Sequence, residues 1–390
     1  MNAHLSGLKI LDFSYLLPGP YGTLMLADMG ADIIKIENPA NPDMTRLLDC
    51  PVDGVSAAYL YLNRGKRSLS LDLKKPGARD VVLRLLREYD IVVEQFRPGV
   101  MDRFGLGYEA LRAIQPRLIY CSVTGYGQTG SYRDRPGHDI NYLALSGSES
   151  YAGRAGAGPV PGSLQVADIC AGSKNLAIGL LASVIRRMNT GEGEHVDISI
   201  ADGSFALAAL QAGALVDGCA PRPESEPLNG GSLYDFYRTA DERYLSAGML
   251  EPRFRANFLA ALGVPEVEFS SMSADALAAQ KRAVARVIAS MPLAHWEKLF
   301  AGIEACVEPV RTLTEAADNP PFCEREMTVE VPTVEGTPVR QFGNPLKFSS
   351  GTGTASFAGA PMGHHNAEIL RGAGYSDAEI EALGKSGILG

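Results

Sequence analysis

"LKILDFSYLLPGPYGTLMLADMGADIIKIE", residues 8–37, opens and closes on short runs that are apolar at nearly every position, LKILDF at 8–13 and DIIKIE at 32–37. Between them Pro18 and Gly19 punctuate a turn, and PYGTLMLADMGA has the length and composition of a helix. A strand, a helix and a second strand follow one another, the unit from which parallel sheets are built. Outward from this stretch the pattern recurs. SLSLDL at 68–73 is followed by PGARDVVLRLLREY, a helix read as opening on Pro76 as a first-turn proline, and then by DIVVEQF at 90–96. GYEALRAIQP and RLIYCSVT repeat it at 107–124, and EHVDISI at 194–200 supplies a further strand. Strands without a polar face must be covered on both sides, so the fold class is α/β, with a doubly wound, Rossmann-like parallel sheet.

The chain has 390 residues, more than one core usually serves, and two lobes are expected. Residues 1–217 with 332–390 form the large α/β domain in this reading. The stretch 218–231, GCAPRPESEPLNGG, is a linker without periodicity, and 232–331 a smaller α+β domain. A long helix is expected within 168–190 and another over 202–218; VEGTPVRQFGNPLKFSS is a loop or hairpin, and NAEILRGAGYSDAEIEALG a closing helical segment. Apolar residues make up 46% and charged residues 21%, ordinary for a globular enzyme. A net charge of −9 argues against a general nucleic-acid binder, which leaves phosphate affinity to a few placed arginines. The six cysteines form no C-x-x-C pair, so neither a zinc site nor a disulfide framework is indicated. With no signal peptide at the N-terminus and no uninterrupted apolar span of membrane length, a cytoplasmic protein without membrane association is expected.

GYGQTGSYRDRPGHDINYLALSG, residues 125–147, spells G-x-G-x-x-G and then places His138 beside Asp139. A dinucleotide fingerprint requires its glycines to lead directly into a helix, whose N-terminus meets the pyrophosphate. SYRDRPGHD cannot be that helix, so GYGQTG reads as a turn leaving the sheet. By residue type alone His138 is equally a surface histidine, Asp168 a helix N-cap, Glu251 before Pro252 a helix-start carboxylate, and Arg97 or Arg103 a solvated cation.

GHDINYLALSG, together with LADMGADIIKIE, GKRSLSLDLK, RPGVMDRFGLGYEAL, RLIYCSVTGYGQTG, VADICAG, YDFYRTADERYLSAGMLEPRF, EACVEPV and HNAEIL, is similar to the alpha-methylacyl-CoA racemases, a branch of the class III CoA-transferase superfamily. The likeness runs, in family order, over nearly the whole chain. It implies a racemase or epimerase of 2-methylacyl-CoA thioesters, with His138 and Asp168 as the two bases and Glu251 pairing with the histidine. Inverting an acidified α-carbon requires a base on one face and an acid on the other, with a planar enolate between them. Asp168 at the start of its long helix would have the dipole and free amides beside it to meet the enolate oxygen.

The same resemblance places coenzyme A against Gln95, Phe96, Arg97 and Arg103, the two arginines near the nucleotide phosphates. Leu71, Asp72, Leu73 and Lys74 would line the adenine site. Gly137, Asp139, Ile140, Asn141 and Tyr142 would flank the pantetheine and thioester. The likeness further implies an interlocked homodimer, no metal or organic cofactor, and coenzyme A entering only as part of the substrate. Two departures stand out. The adenine-stacking arginine of the family is Asn38 here, which shifts that contact to Arg46 or weakens it. Ile169, Cys170, Ala171, Gly172, Ser173 and Lys174 replace the aromatic and glycine run after the aspartate. The alternative is a class III acyl-CoA:carboxylate CoA-transferase in which Asp168 is the nucleophile and forms a mixed anhydride.

Overall fold

The computed structural model describes residues 3–48, 50–265, 273–351 and 355–390. The chain divides into two units, Met1–Ser146 with Gly162–Leu207 and Pro320–Gly390, and Gly147–Pro161 with Ala208–Asn319.

The first unit is built on six parallel strands: β1 (Lys9–Phe13), β2 (Asp32–Glu37), β3 (Arg67–Ser70), β4 (Ile91–Glu94), β5 (Ile119–Thr124) and β6 (Glu194–Ser199). They lie in the order β3-β2-β1-β4-β5-β6, the doubly wound arrangement whose direction reverses between β1 and β4. Ile10 sits opposite Ile33 and Ile91 on neighbouring strands, and all three are fully buried. That face is covered by α1 (Pro18–Asp28) through Leu26. Leu11, Ile34 and Val92 point the other way, onto Val81, Val82 and Leu85 of α2 (Ala78–Leu85). Burial on both faces, with ~1.5–3 kcal/mol gained for each such side chain, is why the strands read as continuous apolar runs. Pro76 lies outside α2, which is capped instead by Gly77 at φ +92°.

Further along, α3 (Asp139–Ser146) begins just after His138, and α4 (Asn175–Thr190) covers the same face as α1 through Leu176 and Leu180. The expected long helix over 168–190 differs in its first two turns. Residues Ala167–Lys174 form a π-helix that runs directly into α4. Ser173 Oγ donates to Pro18 O at 2.7 Å, tying this wide turn to the start of α1. Small residues permit the approach: a Cβ on Gly172 would lie 2.9 Å from Pro18 Cβ, and one on Gly203 2.6 Å from Ala171 Cβ. Gly203 belongs to α5 (Ile200–Ala206), and the helix expected over 202–218 is broken after it into short pieces, a 3-10 turn at Ala209–Gln211 and a helical turn at Ala214–Asp217, where the chain passes into the second unit at Ala208. By length and composition Ala167–Thr190 could cross a membrane; in this fold its apolar stripe lies on the sheet.

The second unit has a three-stranded antiparallel sheet, β7 (Asp235–Arg238), β8 (Tyr244–Ala247) and β9 (Val307–Pro309), with β8 central. Helices α6 (Pro252–Leu262), α7 (Ala274–Ile288) and α8 (Leu293–Phe300) share its core, in which Phe258, Val284, Ile288 and Trp296 are buried. Residues 147–161 join this unit because Arg154 forms ion pairs with Glu224 and Asp235. The sequence reading set a linker at 218–231 and the small domain at 232–331; here the unit takes in residues 208–319, the 218–231 stretch included. The hairpin β10 (Thr328–Pro332) and β11 (Pro338–Phe342) belongs to the first unit, where Val331 and Val339 pack with Tyr59 and Leu60. The closing segment returns to the sheet: α9 (Asn366–Gly372) buries Ile369 and Leu370 in its core, and Ile388, just past α10 (Asp377–Lys385), joins them. His365 exchanges two backbone-directed bonds with Ser68, both 3.1 Å, and Asn366 Oδ1 accepts from Ser70 N–H at 2.9 Å. The edge strand β3 is thereby covered by the end of the chain.

Candidate active site

In open parallel sheets ligands bind beyond the carboxyl ends of the strands, where the strand order reverses. A cleft of about 440 Å3 lies there, formed by Tyr15, Leu16 and Pro18 after β1, Gln95 to Pro98 after β4, Thr124 and Gly125 at the end of β5, and Ile200 after β6. His138 and Asp168 both line it. The G-x-G-x-x-G stretch follows β5 and reaches no helix before Asp139, so it forms a loop at the mouth of the cleft.

His138 is exposed, and its backbone is fixed from both sides. Its N–H donates to Asn141 Oδ1 at 3.0 Å, and its carbonyl accepts from the N–H of Asn141 at 2.8 Å. Asp168 is the second residue of the π-helix, and its N–H donates to Asp139 Oδ1 at 2.9 Å. Burial, with the charge of Asp139 adding to it, pushes the Asp168 carboxyl up to about 6, against the opposing pull of His138. The expectation of free amides at the start of this helix needs correction. The Asp168 amide is taken by Asp139, and that of Ile169 by the Gln165 carbonyl. Among the described residues, the amides of Asp139 and Ile140 in the first turn of α3 have no partner, and they follow His138 directly.

Gln95, Phe96, Arg97, Gly137, Asn141 and Tyr142 line the cleft. Gln95 Oε1 accepts from Gly19 N–H at 2.9 Å, and Phe96 N–H donates to Glu94 Oε2 at 2.8 Å. Glu94 is only 5% exposed, and burial raises its carboxyl to about 7. Leu71, Asp72, Leu73, Lys74 and Arg103 are not among the residues that line the cleft, nor are Asp139, which bonds to the lining residue Asp168, and the exposed Ile140. Leu71–Lys74 nonetheless follows β3 at the same edge of the sheet, with Leu71 buried in the core and Asp72 accepting from Lys74 N–H at 3.0 Å. Asn38 donates to the same Asp72 carboxylate at 3.2 Å. Arg46 is not a free stacking cation. It pairs with Glu37 at 2.9 and 2.7 Å, lies over the Tyr59 ring at 3.6 Å, and is 11% exposed. Glu251 lies in the second unit, exposed, as the residue before α6.

Other features of the cleft were not anticipated. Arg133 and Arg135 line it beside Arg97, although the spacing R-D-R just before His138 was there to be read. Leu16 holds φ +60°, a strained conformation for this residue. It is pinned by its N–H to Asp43 at 3.1 Å, while Lys35 bonds both Asp43 and the Ser14 carbonyl. Behind it the fully buried pair Lys66 and Asp12 holds Ser14 and Thr23. Thr124 Oγ1, buried at the cleft wall, has no hydrogen-bond partner among the described residues. No group of three or more His, Cys, Asp or Glu among those residues could hold a metal ion.

A parallel sheet with a cleft at its switch point, lined by a histidine and by an aspartate whose carboxyl burial raises to about 6, defines an enzyme of the doubly wound α/β class. The chain belongs to CoA-transferase family III, whose model matches residues 5–366. It is 35% identical to the alpha-methylacyl-CoA racemase of Homo sapiens, over 99% of this chain and 97% of that one. It is 33% identical to the succinate–glutarate CoA-transferase of Agrobacterium fabrum, over 97% and 96%. Among solved structures, a CAIB/BAIF family protein from Brucella suis superposes with a TM-score of 0.83 at 29% identity, covering 96% of this chain and all of that one.

Proposed function

We propose that the protein is a racemase or epimerase of 2-methylacyl-CoA thioesters. The observation that carries this reading is that His138 and Asp168 line one cleft, with Asp168 brought close to neutrality. A group that must give a proton in one direction and take it in the other works best when its acid strength is near the working pH. In the forward direction one of the pair takes the α-proton while the thioester carbonyl becomes an enolate. The other then delivers a proton to the opposite face of the same carbon. Glu251 enters through the family motif, in the role of fixing the imidazole tautomer, and the reading includes a homodimer and no cofactor beyond the CoA of the substrate.

Incubation of a 2-methylacyl-CoA in deuterated water should place label on the α-carbon without release of CoA. Absence of label across a range of acyl chains refutes the racemase. Hydroxylamine trapping during turnover separates the transferase, which predicts modification of Asp168 through an anhydride. His138→Ala should slow exchange by ~10²–10⁴-fold, as loss of a general base does.

A further inference from the structure

The loop between β5 and α3, with Tyr142 of α3, holds a continuous stack of side chains leading from an arginine to the backbone of the proposed base. The guanidinium of Arg135 lies 3.5 Å from the centre of the Tyr132 ring. Tyr132 meets Tyr126 edge to face at 5.8 Å and 83°, and Tyr126 meets Tyr142 in the same way at 5.3 Å and 76°. The Tyr142 hydroxyl donates at 2.6 Å to the carbonyl of Gly137, the peptide group that leads into His138. Two rings are wedged against that peptide: a Cβ on Gly137 would lie 2.7 Å from Tyr142 Cε1 and 2.9 Å from the Tyr126 hydroxyl. Burial and the nearby Asp168 raise the Tyr142 phenol, which therefore stays a neutral donor. Arg135 is exposed, lines the cleft, and has no carboxylate partner among the described residues. Its stretch of loop makes few main-chain bonds of its own, Arg133 N–H to Gly130 O and Arg135 N–H to Tyr132 O, so ring contacts fix its position.

We propose that Arg135 and the Tyr132–Tyr126–Tyr142 stack act as a positioning device, by which contact with the anionic end of the substrate orients His138. The proposal rests on the acyl-CoA reading, in which that end is a nucleotide carrying phosphates. An arginine already flat on an aromatic ring meets phosphate with little loss of freedom, and its movement is borne by Tyr132. The remaining rings pass the displacement to Gly137. Binding energy from the part of the substrate remote from the reacting carbon is thus used on the orientation of the base, which raises kcat as well as affinity.

The test compares α-proton exchange of a 2-methylacyl-CoA with that of the matching acyl-pantetheine, which lacks the nucleotide. In the wild-type protein the CoA ester should have a kcat ~10²-fold higher, the pattern of remote binding energy applied to the reacting centre. Arg135→Gln and Tyr132→Leu should each shrink that ratio by ~10-fold, and the double variant no further than either alone, since they act in one series. Tyr132→Phe, which keeps the ring, should retain the ratio. A ratio unchanged in Tyr132→Leu, or a rise confined to the KM of the CoA ester, overturns the proposal. A second measurement does not depend on turnover: the rate at which diethyl pyrocarbonate modifies His138, with and without saturating adenosine 3′,5′-diphosphate. The nucleotide should change that rate several-fold in the wild type and not in Tyr132→Leu; an equal change in both proteins refutes the coupling. If no thioester exchanges in the wild type, the racemase reading fails and the modification rates still decide this one.

Discussion

The Asp168 carboxyl is pushed up to about 6, because burial penalises its charged form and Asp139 stands beside it. Its folded value lies above its unfolded one. The stability it contributes is therefore full below pH 3.8 and lost as pH rises through about 6. A shift of that size is at most ~3 kcal/mol, and partial exposure of the side chain reduces it to ~1–2 kcal/mol. Asp168→Asn should raise the melting temperature relative to the wild type above pH 6 and leave it equal near pH 3.5, while abolishing α-exchange. Thermal unfolding across that range checks the sign, and a variant less stable at pH 7 would refute it. At this scale the turn that carries GYGQTG out of the sheet was legible, because SYRDRPGHD, adjacent in sequence, cannot form a helix. The bond from the Asp168 amide to Asp139 was not legible, since it joins residues that only the fold brings together.

Among elements, the inner strands were legible for a physical reason: burial on both faces favours apolar residues at nearly every position, as in Ile91–Glu94 and Ile119–Thr124, which leaves a clear trace. The π-helix left no trace. So short a stretch as Ala167–Lys174 has no periodicity to detect, and its geometry is imposed by packing on Pro18 and α5. Gly203 is the tightest of those contacts. An added methyl group there would meet Ala171 Cβ at 2.6 Å and Asn175 Nδ2 at 2.8 Å. Gly203→Ala should destabilise the protein by ~1–3 kcal/mol through overpacking. Because the π-helix packed against Gly203 carries Asp168, exchange should fall by more than the lost stability explains. Denaturant unfolding and exchange rates on the same preparation test both halves; a variant with full stability and full activity would show that the turn tolerates a wider approach.

For the molecule as a whole, both ends of the chain build the first unit, Met1–Ser146 and Gly162–Leu207 together with Pro320–Gly390. Removing residues 366–390 would strip Ile369, Leu370 and Ile388 from the core and uncover β3. Three such side chains amount to ~5–9 kcal/mol. That approaches the whole stability of a typical domain, ~5–15 kcal/mol. The truncated chain should fail to give a cooperative thermal transition, as circular dichroism would show. The cover over β3 also sets a schedule for synthesis. The last strand of the sheet ends at Ser199, yet the residues that bond to the edge, His365 and Asn366, leave the ribosome long afterwards. At ~5–20 residues per second the nascent sheet waits ~10–30 s with that margin bare and able to pair with a neighbouring chain. Slow translation, or a polysome crowded with copies of the same message, is therefore the condition under which this protein would be lost to aggregation, and a chaperone would matter most before the final two dozen residues are made.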